Sequence, residues 1–353
     1  MPYNILTYEQ IDRAAWTELV KTSATGTWFQ TPEAYSFYAS QSDLFRPFAV
    51  GVASNLPSLQ GRGGERPLLR AVCVGYVTKE KNPIKQFFTR RAIIIGGPAL
   101  ADDCTDEEVM ALLCALKSTL LSGRDGVGFQ PIYIETRNFN DYSRWKNAFA
   151  AAGFEYQSHL NFHVDTSSSE IVDANLGKSR KRDIRTTIRE GVTIIEHPTD
   201  DQVCEYYNVL DRLYRTKVKT PLFPLDFFLA LNNHRDGRFL LTELHGKIVG
   251  GTVCVAQTGK CLFEWFACGE DGVYPHVFPS CYATYAGIRY AAEHNMPRFD
   301  MMGAGKPDEA YGVRDFKAKF GGKEVEHGRF LCVNKPLLYN MGVIGVKLLK
   351  KLK

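Results

Sequence analysis

At 353 residues the chain is too long for one ordinary hydrophobic core, and its length predicts two domains. It is 44% hydrophobic and 23% charged, with 30 Gly and 16 Pro, which excludes disordered, collagen-like and coiled-coil classes. A formal charge of +4 is too small for a dedicated nucleic-acid binder, so any electrostatic role must come from local clusters of basic residues.

In chain order, strand-like runs come first, at 47–52, 68–77 and 92–95, the last ending in Gly96-Gly97-Pro98. Residues 53–67 are rich in Gly, Pro and Arg and predict a mobile surface loop. A helix follows to Leu121, with Thr105 as N-cap and Glu108 completing a capping box. A strand at 131–136, a helix at about 141–152 and a strand at 153–164 close the first half. After Thr166-Ser167-Ser168-Ser169 the pattern restarts. Helices are predicted at 200–214 and 225–232, then strands at 239–244, 248–257 and 261–268. A helix at 280–294 and a short strand at 298–302 lead into Gly303-Ala304-Gly305. Each half reads as antiparallel strands, helix, strand, helix, strand. The expected architecture is α+β, two copies of one layout over 1–165 and 166–335, with a tail at 336–353.

Acidic residues interrupt the first twenty positions and no long apolar run exists, so neither a signal peptide nor a membrane span is expected. Nine cysteines without a CxxC pair, several of them inside apolar runs, suggest reduced core thiols in a cytoplasmic protein. His159 and His163 sit in a strand-like context about 13 Å apart at that rise, too far to share a metal ion. Neither a metal nor a cofactor is expected.

Two stretches could carry chemistry. From Lys178 to Arg189, six of twelve residues are basic. At helical spacing Lys178, Arg182, Arg185 and Arg189 share one face, suited to phosphate or simply solvated. The second stretch is Phe299–Gly305 followed by Gly312–Gly322. Glycines Gly303 and Gly305 would let backbone approach a ligand. Phe316 and Phe320 would pack inward and flank Lys317 with apolar groups. A desolvated Lys317 could stabilise an oxyanion in acyl transfer; the alternative is a helix with aromatic anchors and surface lysines. A glycine-rich strand-to-helix turn for the pyrophosphate of an acyl-CoA is missing from both halves. No hydrolase elbow, P-loop or dinucleotide fingerprint is present.

Trp28-Phe29-Gln30-Thr31, Gly97-Pro98, Arg180–Arg189 running into Glu190-Gly191-Val192-Thr193-Ile194, Phe299-Asp300 and Phe316-Lys317-x-x-Phe320-Gly321-Gly322 occur in the order seen in the FemAB/FemX family, which the chain resembles over nearly its whole length. The resemblance implies tandem GNAT-like domains, each a mixed, mainly antiparallel sheet flanked by helices. It also implies transfer of an aminoacyl group from aminoacyl-tRNA to the amine of a UDP- or lipid-linked muropeptide. Carried over by position, Lys317 stands beside the reacting carbonyl, and Arg180, Arg182 and Arg185 contact the precursor's diphosphate. Asp102 or Asp103 is the base. Phe316, Gly303 and Gly305 line the substrate. One departure is clear: where the family often has a phosphate-binding lysine after the WFQ-like motif, this chain has Phe37-Tyr38-Ala39. Lys317→Ala is expected to cost turnover with little change in melting. A thioester-dependent N-acyltransferase and an inactive polyanion-binding protein remain as alternatives. In the tail, Leu337, Leu338, Met341, Ile344, Leu348, Leu349 and Leu352 form one helical arc beside Lys347, Lys350, Lys351 and Lys353. Such a helix would dock on the protein's own core or rest peripherally on the inner, anionic face of a membrane.

Overall fold

The computed structural model describes residues 3–54, 68–121 and 130–351, so nearly all of the 53–67 loop lies outside the described residues. The chain divides into two compact units, residues 1–158 with 327–353 and residues 159–326.

The first unit opens with β1 (Tyr3–Thr7), α1 (Arg13–Thr22), α2 (Pro32–Ser40), β2 (Phe45–Ser54) and β3 (Leu68–Thr78). Next come α3 (Pro83–Thr89), β4 (Ala92–Gly96), β5 (Ala99–Leu100), α4 (Asp106–Leu121), β6 (Tyr133–Asn138), α5 (Lys146–Ala151) and β7 (Glu155–Gln157). The predicted capping box forms: Glu108 N donates to Thr105 Oγ1 at 3.3 Å and Thr105 N to Glu108 Oε2 at 2.9 Å. Val109, Leu112, Leu113, Leu116 and Leu120 of α4 recur at helical spacing and are buried against the sheet. The WFQ stretch is also core. Gln30 donates to Val74 O at 3.0 Å and Ile95 O at 2.9 Å and accepts from Val74 N at 2.7 Å. Its amide thus satisfies backbone groups of β3 and β4 that would otherwise be buried without partners.

The second unit contains β8 (Leu160–Asp165), α6 (Ser169–Asn175), α7 (Lys178–Arg189), β9 (Thr193–Ile195), α8 (Asp200–Leu213) and α9 (Leu225–Asn232). It continues with β10 (Gly237–Leu244), β11 (Lys247–Gln257), β12 (Cys261–Gly269), α10 (Pro279–Glu293), β13 (Arg298–Asp300), α11 (Gly312–Ala318) and β14 (Lys323–Glu326). Its seven strands run in the order β14-β8-β13-β12-β11-β10-β9, antiparallel except for β12–β13, which α10 connects as a crossover. A bulge sets Val253 opposite Phe266 and Cys254 opposite Glu264, leaving Trp265 as the extra residue.

The chain then returns to the first unit through β15 (Arg329–Val333) and α12 (Pro336–Lys351). The first sheet has the order β1-β2-β3-β4-β6-β15-β7, with β5 on β3, and is antiparallel except for β4–β6. On this sheet Glu135 of β6 is shared by Arg137 at 3.1 Å and Arg329 of β15 at 2.7 Å.

This division departs from the expected boundaries in two places. The run 153–164 is two strands: β7 pairs with β15 in the first sheet and β8 with β13 and β14 in the second. The chain therefore changes unit at Ser158, and residues 327–335 belong with the first unit. His159 lies outside β8, while His163 pairs across to Asp300 of β13.

Candidate active site

In the second unit, α11 is fastened to the loop after β13. Lys317 is half-buried, and its ammonium turns inward to donate to Met301 O and to Gly303 O, the latter at 2.8 Å. Three residues earlier on the helix, Arg314 donates to Ala304 O at 3.0 Å, to Pro307 O at 3.2 Å and to Lys306 O. The loop follows a left-handed path, with φ of 51° at Met302, 106° at Gly303 and 79° at Gly305. Side chains at the glycine positions would be strained. A Cβ on Gly305 would also lie 2.9 Å from the Tyr311 ring, whereas on Gly303 the nearest atom would be His159 Nε2 at 3.6 Å. The strained Met302 is held by its own N–H, which donates to Asp300 Oδ1 at 2.8 Å.

Two buried carboxylates act on Lys317. Asp300, fully buried, accepts from Asn161 Nδ2 at 2.7 Å, and its other oxygen lies 3.1 Å from His163 Nε2. Asn161 Oδ1 also accepts from Gly303 N at 2.7 Å, so one amide fixes both the carboxylate and the loop. Burial alone would raise the Asp300 pKa, but His163, Arg298 and Asn161 outweigh it and hold the carboxyl below its ordinary value. Glu264 of β12 is buried and accepts from Thr252 Oγ1 at 3.1 Å and Thr284 Oγ1 at 2.9 Å. Burial pushes its carboxyl up despite the pull of Lys317 and the two hydroxyls. For Lys317, burial is the largest influence and lowers its pKa, while the charges on Glu264 and Asp300 act in the opposite direction. The result is a desolvated cation, held beside backbone carbonyls and biased by two carboxylates. Such a group can receive developing negative charge.

Arg180 is not on the open basic face. Its guanidinium stacks 4.4 Å from the Phe316 centroid and 5.1 Å from that of Phe320. It is paired with Asp183 at 3.4 Å and donates to Phe316 O at 3.4 Å. Arg180 thus clamps α7 to the helix that carries Lys317, and Phe316 serves as its platform. Arg182, paired with Asp183 at 3.1 Å, and Arg185 do lie on the exposed face of α7 with Lys178 and Arg189. Asp102 and Asp103 stand in the first unit, before α4. Asp102 accepts from Ala24 N at 2.9 Å; Asp103 is paired with Arg70 at 2.8 Å, which holds its carboxyl below the ordinary range.

Each crossover helix also carries its own carboxylate at its N-terminal end. Glu108 serves α4, as described above. In the second unit Asp271 accepts from Ser280 N at 3.2 Å at the start of α10. Glu264 and Asp271 went unrecognised in the sequence, although a single carboxylate in Phe263-Glu264-Trp265-Phe266 is a signal that a buried partner is required.

Among solved structures, FemX is similar over 96% of this chain and 99% of its own, at 13% identity and a TM-score of 0.68. A tandem GNAT protein from the clavulanic acid biosynthesis pathway is similar over 94% of this chain and 98% of its own, at 10% identity and a TM-score of 0.55. L-PGS from Bacillus licheniformis is similar over 96% and 97%, at 13% identity and a TM-score of 0.53. These likenesses establish the fold as α+β, with tandem GNAT-like units. Residues 247–345 match the model of the FemAB family, bearing out the resemblance over the segment that contains Glu264, Asp300, the 301–305 loop and Lys317. No curated protein sequence matches the chain.

Proposed function

We propose that this protein is an acyltransferase of the aminoacyl-transferring kind, moving an aminoacyl group from aminoacyl-tRNA to the amine of a UDP- or lipid-linked muropeptide in the cytoplasm. The observation that carries the reading is the inward-turned ammonium of Lys317 on the 301–305 loop, within the segment that matches the FemAB model. In this reaction the neutral acceptor amine attacks the ester carbonyl of the donor. Lys317 stabilises the tetrahedral oxyanion, the ester C–O bond breaks, and the tRNA ribose oxygen leaves as a hydroxyl, taking up the proton that the attacking nitrogen gives up. That proton passes by way of a carboxylate, for which Asp102 or Asp103 remains the proposed acceptor. Arg182 and Arg185 would meet the acceptor's diphosphate, with Arg180 as a positioning residue behind Phe316.

A second reading replaces the ester donor with a thioester, and the likeness to a tandem GNAT protein favours it. Against it, Thr105 Oγ1 and Asp271 already accept from N–H groups at the starts of α4 and α10, where a pyrophosphate would be received. The test is product formation with a UDP-linked muropeptide as acceptor and either charged tRNA or acyl-CoA as donor. Product with charged tRNA alone is the expected result. Product with acyl-CoA alone would establish the second reading, and muropeptide binding without product from either donor would leave a binding protein.

A further inference from the structure

Two helices of the first unit present apolar faces that nothing among the described residues covers. On α3, Ile84, Phe87 and Phe88 stand at i, i+3 and i+4 and are all exposed, Ile84 by 72%. On α12, Leu337, Met341 and Ile344 stand at i, i+4 and i+7 and are likewise exposed, Leu337 by 82%. Tyr339 marks the covered side of that helix, its ring 5.5 Å from that of Tyr133. Of the described part of the tail's apolar arc, Leu337, Met341 and Ile344 are therefore open and Leu338 is half-buried, and its continuation beyond Gly345 lies outside the described side chains.

The two helices share one end of the first sheet. Arg90, at the end of α3, donates to Phe87 O at 3.1 Å and accepts from Ile132 N at 3.0 Å. Ile132 O in turn accepts from Asn334 N at 2.8 Å and Lys335 N at 3.0 Å, at the start of α12. One residue thus bridges the roots of both helices. Within the chain segments that carry them the charges have one sign, although Asp43 and Glu80 lie beside α3. No Asp or Glu occurs from Lys81 to Ala101 or from His327 to Lys353. Lys85, Arg91 and Lys335 are exposed, Lys81 is paired with Asp43 at 3.2 Å, and the sequence ends with Lys347, Lys350, Lys351 and Lys353.

We propose that α3 and α12 together form a two-footed surface for docking on an anionic lipid bilayer. The apolar side chains would enter the interfacial layer and the lysines would meet acidic headgroups. Among the described residues no helix is long and apolar enough to cross a membrane, so the contact is peripheral. Two separate apolar feet matter because a single short amphipathic element gives only marginal partitioning, whereas two on one rigid support add their affinities. This inference does not depend on the transferase reading.

The test is co-sedimentation of the full chain with vesicles of phosphatidylcholine alone and with one-quarter phosphatidylglycerol, at low and physiological salt. Wild-type protein is expected to pellet with the anionic vesicles and to be released as salt rises. Ile84→Ser with Phe88→Ser, and separately Leu337→Ser with Met341→Ser, should each weaken binding by at least about tenfold. Val273→Ser, another exposed apolar position, should leave it unchanged. Unchanged melting of the variants separates lost docking from lost folding. Equal pelleting of wild type and both double variants, or no pelleting at all, overturns the proposal. So does a lipid-free dimer that the same substitutions dissociate, which would make the surface a contact between copies of this chain.

Discussion

Replacing Lys317 by Met keeps the length of the side chain and removes its charge, and the structure sets two separate costs. The catalytic cost is that of losing one preorganised donor to an oxyanion, about 10²–10³ in kcat, or roughly 3–4 kcal/mol. The folding cost arises because Met301 O and Gly303 O lose their donor, at about 1 kcal/mol for each bond. Relief from burying an ammonium whose pKa burial has already lowered offsets part of this. A net loss of about 1–2 kcal/mol corresponds to a melting decrease of about 3–6 °C for a unit of this size. That differs from the small melting change expected from the sequence, where Lys317 had no visible backbone partners. Single-turnover transfer with the donor that supports product formation, together with thermal unfolding, gives both numbers. The reasoning fails if melting falls as stated while turnover stays within tenfold of wild type. Lys317 would then be a clip for the 301–305 loop and nothing more.

Two further outcomes follow from the buried carboxylates. Glu264→Gln removes a charge that raises the Lys317 pKa, so the alkaline limb of the pH–rate profile should move to lower pH; a limb that stays in place would refute their coupling. At Glu135, burial opposes ionisation, but Arg137 and Arg329 hold the carboxyl down at about 2 from an ordinary 4.5. A depressed carboxyl contributes stability that is present above pH 4.5 and lost as pH falls through about 2. At about 1.4 kcal/mol per unit this amounts to about 3 kcal/mol. Urea unfolding of Glu135→Gln should therefore show a flatter acid dependence than wild type between those limits, and identical slopes would count against the ion-pair account.

Much of the fold was legible because local signals agreed with tertiary demands. Thr105 and Glu108 marked the start of α4, and the periodicity of 225–232 coincided with α9. The wheel of the basic helix placed Lys178, Arg182, Arg185 and Arg189 on one face, but Arg180, expected with Arg182 and Arg185 at the diphosphate, instead stacks on Phe316, a partner that no local spacing reveals. The break between β7 and β8 was not legible, because an alternating strand pattern reads the same on either side of a change of sheet. Nor was the state of α12: an apolar arc at helical spacing is identical whether it is covered or open. The partners of Lys317 were hidden for another reason. They are backbone carbonyls and a glutamate more than fifty positions away, and no spacing in the sequence encodes them.

The return of β15 to the first sheet has a consequence for biosynthesis. This strand lies between β6 and β7 and, among the described residues, is the only partner of β7. The amino-terminal sheet therefore stays split until residues 329–333 have left the ribosome, by which time the whole of 159–326 is available to fold. The inner unit should mature first and the outer one close last, reversing the usual amino-to-carboxyl order of multidomain chains. Nascent chains stalled so that residues up to 326 have emerged and β15 has not should thus protect the inner unit from protease while leaving β7 open to cleavage.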